Sequence, residues 1–348
     1  MKSAPYAEIR EKNNMEPLKF ISFTDAHVSS VNPASRIGDY EQDIFDKLRQ
    51  IKAVGEKLSV DFFLFAGDLF QLKTPMRNPH SLNTRLIDLF KSFPAPVYAT
   101  EGNHDLRNDS YDTFDEQPLR VIYSSGALIQ ARDIRKTIKD IRVRIRSFPF
   151  KEQPDFSSLP KTKDGTTDLD ICLLHLYSTL SGGTMFHHKL FSYEEIATLN
   201  DDIFVLGHYH VDQGIETILT EGRKQAFINV GAVSRGTYVD DDIKRAPKIV
   251  LVTVEKNGTE LVPEYKSIKL NVKPYTEVFD VEKHEEDKKK IMEAEAFVSK
   301  LQSDLTVVTE EEDRVKAEVM GLNIEKAVLT KVLSLLEEAD LNRKSIEG

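Results

Sequence analysis

The stretch VDFFLFAGD, residues 60–68, decides how the rest of the chain is read. Its apolar run is unbroken, so it is not a half-buried strand with a wet face. It reads as a strand covered on both sides, as parallel strands in α/β proteins are. It ends in Gly67-Asp68, a turn followed by a carboxylate. Upstream, KFISFTD at 19–25 is a second short apolar strand. Between them, Ile44, Leu48, Ile51, Val54 and Leu58 recur at three- and four-residue spacing and predict a helix from about Tyr40 to Leu58. Downstream, residues 81–93 read as a helix, and VYATEGNHD at 97–105 as a strand and turn. This β-α-β-α-β opening predicts an α/β fold.

Further strands are expected at 169–175, 203–207 and 225–231. A hairpin over 248–268 would turn at Asn257-Gly258, a type I′ signal. IRVRIRSFPF at 141–150 alternates as a half-buried strand. Ile141, Val143 and Ile145 fall on one side, and Arg142, Arg144 and Arg146 on the other. With Arg132, Arg135, Lys136 and Lys139 nearby, these arginines form a candidate strip for nucleic-acid phosphates. A solvated outer strand face is the plainer alternative.

Bulk composition narrows the function classes. The 348 residues, 40% of them hydrophobic, suffice for one large domain and a smaller one. No apolar run approaches the roughly 20 residues of a membrane span. The polar N-terminus has no apolar core of a secretory signal. The single cysteine, Cys172, excludes an internal disulfide framework and a cysteine-rich zinc site, and a reducing, cytoplasmic compartment fits. A net charge of −10 argues against strong free-standing nucleic-acid binding.

Five short motifs carry the chemistry: D-A-H at 25–27, G-D at 67–68, G-N-H-D at 102–105, His175, and G-H-Y-H at 207–210. Each directly follows an apolar run, and ligands of α/β sheets bind beyond the carboxyl ends of the strands. If the strands share such an edge, the motifs converge there. Five of the nine histidines fall inside them, which scattered surface or core histidines do not explain. Carboxylate, imidazole and amide oxygen suit Mn, Fe or Zn. Asp68 is the natural bridge between two ions, which together would clamp a phosphate and activate water. His104 could protonate the leaving oxygen, and Asp105 is placed to orient it.

The ordered set D-x-H, G-D, G-N-H-D, H, G-H-x-H resembles the calcineurin-like metallophosphoesterases from about Lys19 to Gly236. AGDLF at 66–70, Pro75, EGNHD at 101–105, LLH at 173–175 and LGHYH at 206–210 resemble more narrowly the SbcD-type (meiotic-recombination-eleven) DNA repair nucleases, compact phage-encoded versions included. The resemblance implies a four-layer α/β sandwich and two manganese ions. Asp25, His27, Asp68 and His210 would hold one ion, and Asp68, Asn103, His175 and His208 the other. His104 would be the phosphate-facing catalytic histidine. It also implies exonuclease and endonuclease action on DNA, a role in repair or recombination near the nucleoid, and an SMC-like coiled-coil ATPase of the SbcC type as partner; a homodimer is compatible with it. Gln71 stands where some members carry a second histidine, and Val230-Gly231-Ala232 replaces a common P-G-S.

The expected organisation is an N-terminal extension at 1–17, a metallophosphoesterase domain at 18–270, a small cap-like or linker region at 271–310 and a helical tail at 311–348. In the tail, Ile324, Val328, Val332 and Leu335 form an apolar stripe that could bind the partner or pack on its own domain. A stand-alone metallophosphatase or small-molecule phosphodiesterase is the rival reading. A non-catalytic scaffold is a second rival, disfavoured by intact ligand-type residues in every motif.

Overall fold

A computed structural model describes residues 16–33, 36–161, 165–185, 188–237, 243 and 245–305. The chain divides into two compact units at the Val278–Phe279 bond.

The first unit begins with the expected alternation: β1 (Leu18–Phe23), α1 (Tyr40–Leu58), β2 (Phe62–Phe65), α2 (His80–Lys91) and β3 (Val97–Ala99). Asp39 caps α1 by accepting from Gln42 N at 2.9 Å. Ser59 ends the helix in the left-handed region at φ 51°. Then come α3 (Pro118–Ser124), β4 (Ile129–Gln130), β5 (Asp133–Ile138), β6 (Ile141–Ser147) and β7 (Leu169–Leu176). β8 (Ser178–Thr179), β9 (Gly183–Met185) and β10 (His188–Ser192) form a small separate sheet beside α4 (Tyr193–Ala197). The unit closes with β11 (Ile203–His208), β12 (Gly214–Thr220), β13 (Arg223–Asn229), β14 (Lys248–Asn257), β15 (Glu260–Lys269) and α5 (Tyr275–Val278).

Two six-stranded mixed sheets dominate, ordered β15-β14-β1-β2-β3-β4 and β12-β13-β11-β7-β6-β5. Strands β1 to β4 run parallel, as do β6, β7, β11 and β13; β5, β12, β14 and β15 pair antiparallel with their neighbours. The stretch FFLF explains the stacking. Phe62 and Leu64 face inward onto Ile145, Ile171, Leu173 and Val205 of the second sheet. Phe63 and Phe65 face outward onto Ile44, Leu48, Leu86 and Phe90 of α1 and α2. On the far side of the second sheet, Cys172, Leu174, Phe204 and Phe227 pack on Tyr193 and Ile196 of α4. The layers run helix, sheet, sheet, helix, the calcineurin-like sandwich that the motifs predicted.

Two details depart from the sequence reading. The β14–β15 loop is Gly258-Thr259, and positive φ falls on Gly258 (66°), not on Asn257. That is the pattern of a II′ turn and not the I′ turn expected. Strand β6 is not half wet either. Of its arginines only Arg142 is exposed, while Arg144 and Arg146 are buried. Each meets an acid: Arg142 Nη2 reaches Asp168 Oδ1 at 2.7 Å, Arg144 Nε reaches Asp133 Oδ1 at 2.7 Å, and Arg146 Nε reaches Asp201 Oδ1 at 2.8 Å. Period-two alternation cannot distinguish a face open to water from one whose arginines are paired with acids of the neighbouring strand and of the loops that lead into the same sheet.

The second unit contains α6 (Val281–Leu305), where the charged run begins. Asp280 Oδ1 accepts from Lys283 N at 3.0 Å and so caps it. Ile324, Val328, Val332 and Leu335 lie outside the described residues. Among the described residues no helix is long and apolar enough to cross a membrane.

Arg146 and Asp201 are both essentially enclosed, so removing one strands the other. Arg146→Met should lower unfolding free energy by about 3–5 kcal/mol in a denaturant titration. Pairing it with Asp201→Leu should recover much of that loss, because no buried charge is then left alone.

Candidate metal centre

The motifs do not line one sheet edge. D-A-H, G-D and G-N-H-D follow β1, β2 and β3 of the first sheet; His175 and G-H-Y-H lie at the ends of β7 and β11 of the second. The two sheets present the carboxyl ends of their central strands to one another, and the side chains meet there.

Backbone geometry marks the place. Asp25, His27, Asp68 and His208 have φ of 54°, 47°, 56° and 82°. Non-glycine residues in this left-handed region cost roughly 1–3 kcal/mol each and persist where the surroundings hold them. Here a ladder does so: Asp25 N donates to Gly67 O at 3.0 Å, His27 N to Asp68 O at 3.0 Å, and Val28 N to Leu69 O at 2.8 Å. His208 N donates to Asp25 Oδ2 at 3.1 Å, tying the second sheet's loop to the first's. Asp25 Oδ2 also accepts from Thr24 Oγ1 at 2.7 Å, and Asp68 Oδ1 from His104 N at 2.8 Å. Gly102 is required by close approach, since a Cβ there would sit 2.1 Å from Asp68 Oδ1. Gly207 is held likewise, its Cβ position being 2.3 Å from the Ala66 carbonyl.

The side chains form two overlapping donor groups, Asp25–His27–Asp68–His210 and Asp68–His175–His208, with ligand atoms in each lying within 4.8 Å of one another. Asp68 is common to both. His175 Nε2 and His27 Nε2 lie 3.2 and 3.4 Å from Asp68 Oδ2. His27 Nε2 and His210 Nε2 face each other at 3.0 Å. His175 Nδ1 donates to Ala66 O at 2.7 Å, which turns Nε2 toward the acids, the arrangement found behind metal-bound imidazoles. Asp68 Oδ2, His175 Nε2 and Asn103 Oδ1 are buried with no hydrogen-bond partner. Two unpaired buried oxygens, with an imidazole nitrogen that becomes a ligand once its proton leaves, fit divalent cations.

The titration behaviour agrees. Burial alone would raise Asp25, but the His175 charge and hydrogen bonds from His210 and His27 hold it well below the usual carboxylate range. Asp68 is likewise depressed against burial, by His175, His27 and His104. Burial works against the charged form of His175, yet Asp68 and Asp25 push it up to about 9. Burial and the His175 charge push His208 down to about 3. His104 is lowered, chiefly by burial, which outweighs Asp68.

Asp105 has a different place from the one expected. Its carboxylate accepts from Leu69 N (3.0 Å), Phe70 N (3.1 Å) and Gly102 N (3.1 Å), so it pins the two ligand loops together. His104 is oriented instead by the backbone: its Nδ1 lies 2.7 Å from the Gln71 carbonyl. A carbonyl contact is invisible in sequence. The arginine strip does not reach this place as an open surface, because Arg144 and Arg146 are enclosed. Thr24, Phe150 and Tyr177 were not singled out by the motifs. The Tyr177 ring centroid lies 3.8 Å from that of His208 with the planes tilted at 53°, and Phe150 lies 5.3 Å from it. The one available signal was position, Thr24 preceding Asp25 and Tyr177 following His175 by two.

A sandwich with an Asp/His cluster at the joined ends of its sheets defines a metal-dependent hydrolase of phosphate esters. The sequence profile of calcineurin-like phosphoesterases matches residues 18–212, more than half of the chain, and the chain belongs to that family. Among solved structures it is similar to a Staphylococcus aureus protein described as a candidate 5′-nucleotidase, solved with alpha-ketoglutarate, at 16% identity and a TM-score of 0.46. That match covers 77% of this chain and 56% of the other, so this chain spans little more than half of that protein. It is also similar to the calcineurin-like phosphoesterase YfkN of Bacillus subtilis, at 12% identity and a TM-score of 0.46, covering 75% of this chain and 94% of that one. No protein with a curated description matches.

Because Asp68 belongs to both donor groups, Asp68→Asn should weaken total divalent-metal binding by more than about tenfold in equilibrium dialysis. Metal binding to the wild-type protein at about pH 7.5 should release a proton, since His175 is protonated below about 9 and must lose its proton to coordinate. Calorimetry in buffers of different ionisation enthalpy reads this directly. Heats that are independent of the buffer would show that no protonated His175 gives up its proton to an ion.

Proposed function

We propose that this phosphoesterase cleaves DNA phosphodiester bonds as the nuclease subunit of an SbcD-type complex, with two divalent ions, Mn²⁺ by resemblance. The observation that carries the reading is a cavity of about 250 Å³ directly beside the metal centre. Asn103 and His208 form its metal side, Phe150 and Tyr177 give it aromatic faces, and Lys73 and Lys189 give it cations. Flat rings next to positive charge suit a nucleotide, whose base stacks while its phosphate is neutralised. Asp109 and Glu152 also line it, and the cations are paired with acids, Lys73 with Asp109 and Lys189 with Glu195, so the aromatic faces distinguish the pocket more than its net charge.

In this reading Asp25, His27, Asp68 and His210 hold one ion, and Asp68, Asn103, His175 and His208 the other. Such ions polarise the phosphate and lower the pKa of the attacking water. Asp68 and Asp25 keep their charge and so hold position. His208 stays neutral and can offer a lone pair. His104, with Nδ1 engaged by the Gln71 carbonyl, has Nε2 as its proton-accepting atom. An arriving phosphate anion raises the proton affinity of that ring, which takes up a proton from solvent at Nε2. His104 then passes the proton to the departing oxygen. Asp105 acts through the loops and does not touch substrate.

The second reading, a stand-alone phosphatase or small-molecule phosphodiesterase, uses the same ions, and the chain's net charge of −10 favours it over unaided DNA binding. The two separate in one assay that compares a chromogenic phosphodiester with linear DNA in Mn²⁺, with and without a coiled-coil ATPase that co-purifies with the native protein. Degradation of DNA that rises with the ATPase is expected; turnover of the small ester alone would hand the assignment to the second reading. Tyr177→Ala should raise KM for DNA about tenfold, the worth of one stacked base, with kcat on the small ester little changed. Deleting residues 315–348 should abolish ATPase association and leave ester cleavage intact, and loss of both would place the tail in the fold itself.

A further inference from the structure

Asp25 and His210 belong to one donor group, yet they come from different sheets, so neither sheet by itself sets their spacing. Residues 231–234, which follow β13, join the two loops. Ala232 N donates to the His210 carbonyl at 3.2 Å, Val233 N to the Thr24 carbonyl at 3.0 Å and Ser234 N to the Asp25 carbonyl at 3.0 Å. Three successive N–H groups thus tie the G-H-Y-H loop to the D-A-H loop through main chain. Gly231, at φ 74°, lets the segment lie close on the first of these loops, since a Cβ there would sit 2.3 Å from the His210 carbonyl.

Ala232, Val233 and Ser234 are buried, and their N–H groups are all engaged by the metal loops. The carbonyls of the same segment then need donors of their own. One side chain supplies two of them: Arg245 Nη1 donates to the Ala232 carbonyl, and Nη2 to the Ser234 carbonyl at 2.6 Å. Both bonds leave one planar guanidinium, whose fixed fork sets the distance between the two carbonyls and with it the shape of the segment. A little further along, Lys248 at the start of β14 pairs with Asp212, which lies just past His210. One stretch of chain therefore braces both the segment and the loop on which it rests. Arg245 is not among the metal-binding side chains, and groups that hold ligands from behind are worth about 10–100-fold in metal affinity.

We infer that Arg245 is a positioning residue for the metal centre: by holding residues 232–234 it sets the separation of Asp25 and His210, and so the affinity of the ion that these two share with His27 and Asp68. The inference rests on an ion in that donor group and not on DNA as the substrate.

The test uses the full chain, freed of metal by chelation. Mn²⁺ is titrated in and read by the EPR signal of the free ion, at a temperature where circular dichroism shows every variant folded. Arg245→Met should weaken Mn²⁺ binding about tenfold or more. Arg245→Lys, which keeps charge and donors but not the planar fork, should lose less. Arg146→Met is the control. It removes an enclosed arginine away from the ligand loops, and should lower stability while keeping wild-type Mn²⁺ affinity. Wild-type affinity in folded Arg245→Met overturns the inference. An equal loss in Arg146→Met overturns it too, because metal binding would then only report general stability. Should Arg245→Met not fold, Arg245→Lys decides alone, and affinity equal to that of the wild type overturns it. Mn²⁺ binding that depends on Arg245 in a protein that leaves DNA intact would sink the nuclease reading and keep this one; absence of Mn²⁺ binding by the wild type sinks both.

Discussion

The Asp68 carboxylate is the constraint to which the rest of the site adjusts. It is a buried charge at the place where two sheets meet, and a buried charge must be matched or surrendered. The protein matches it with imidazoles from both sheets: His27 and His104 from the first, His175 from the second. Its own backbone sits at φ 56° to deliver it, and Gly102 must lack a side chain to make room. Asp105 then clamps the loops on either side through three backbone N–H groups. Each of these features costs stability by itself. They are tolerated because an apolar core packs between the two sheets beneath them.

The same logic appears away from the site. The buried arginines of β6 are each paired, Arg146 with the buried Asp201 and Arg144 with Asp133 at the surface. The pairing explains how a chain with an acidic balance can hide cations without exposing a basic face. It also moves the question of nucleic-acid contact from a surface strip to the cavity at the metal centre.

The fold was legible where one local pattern carried the information. FFLF has no polar position, so it had to be covered on both faces, and the opening β-α-β-α-β order followed. The clustering of the Asp and His side chains was legible because each motif closed an apolar strand. Three features were not legible, for separate physical reasons. That the motifs come from two sheets depends on strand order, which no local pattern encodes. The covering of Arg144 and Arg146 depends on Asp133 and Asp201, which lie 11 and 55 residues away in sequence. The orientation of His104 depends on a carbonyl, which every residue has. Asp105 was assigned by adjacency to His104, and adjacency along a tight turn sends neighbouring side chains in different directions.

The hydrogen-bonded ladder between residues 25–28 and 67–69 has a thermodynamic corollary. Those loops are joined by main-chain bonds, so the cradle is formed before any ion arrives. Little ordering entropy then remains to be lost on metal capture. Folding then does not require the ion, unlike in small zinc domains whose shape exists only around it, although a bound ion would still stabilise the folded chain. Selectivity among cations must accordingly come from the fixed spacing of the donors, since a rigid cradle cannot reshape itself around a poorly fitting guest.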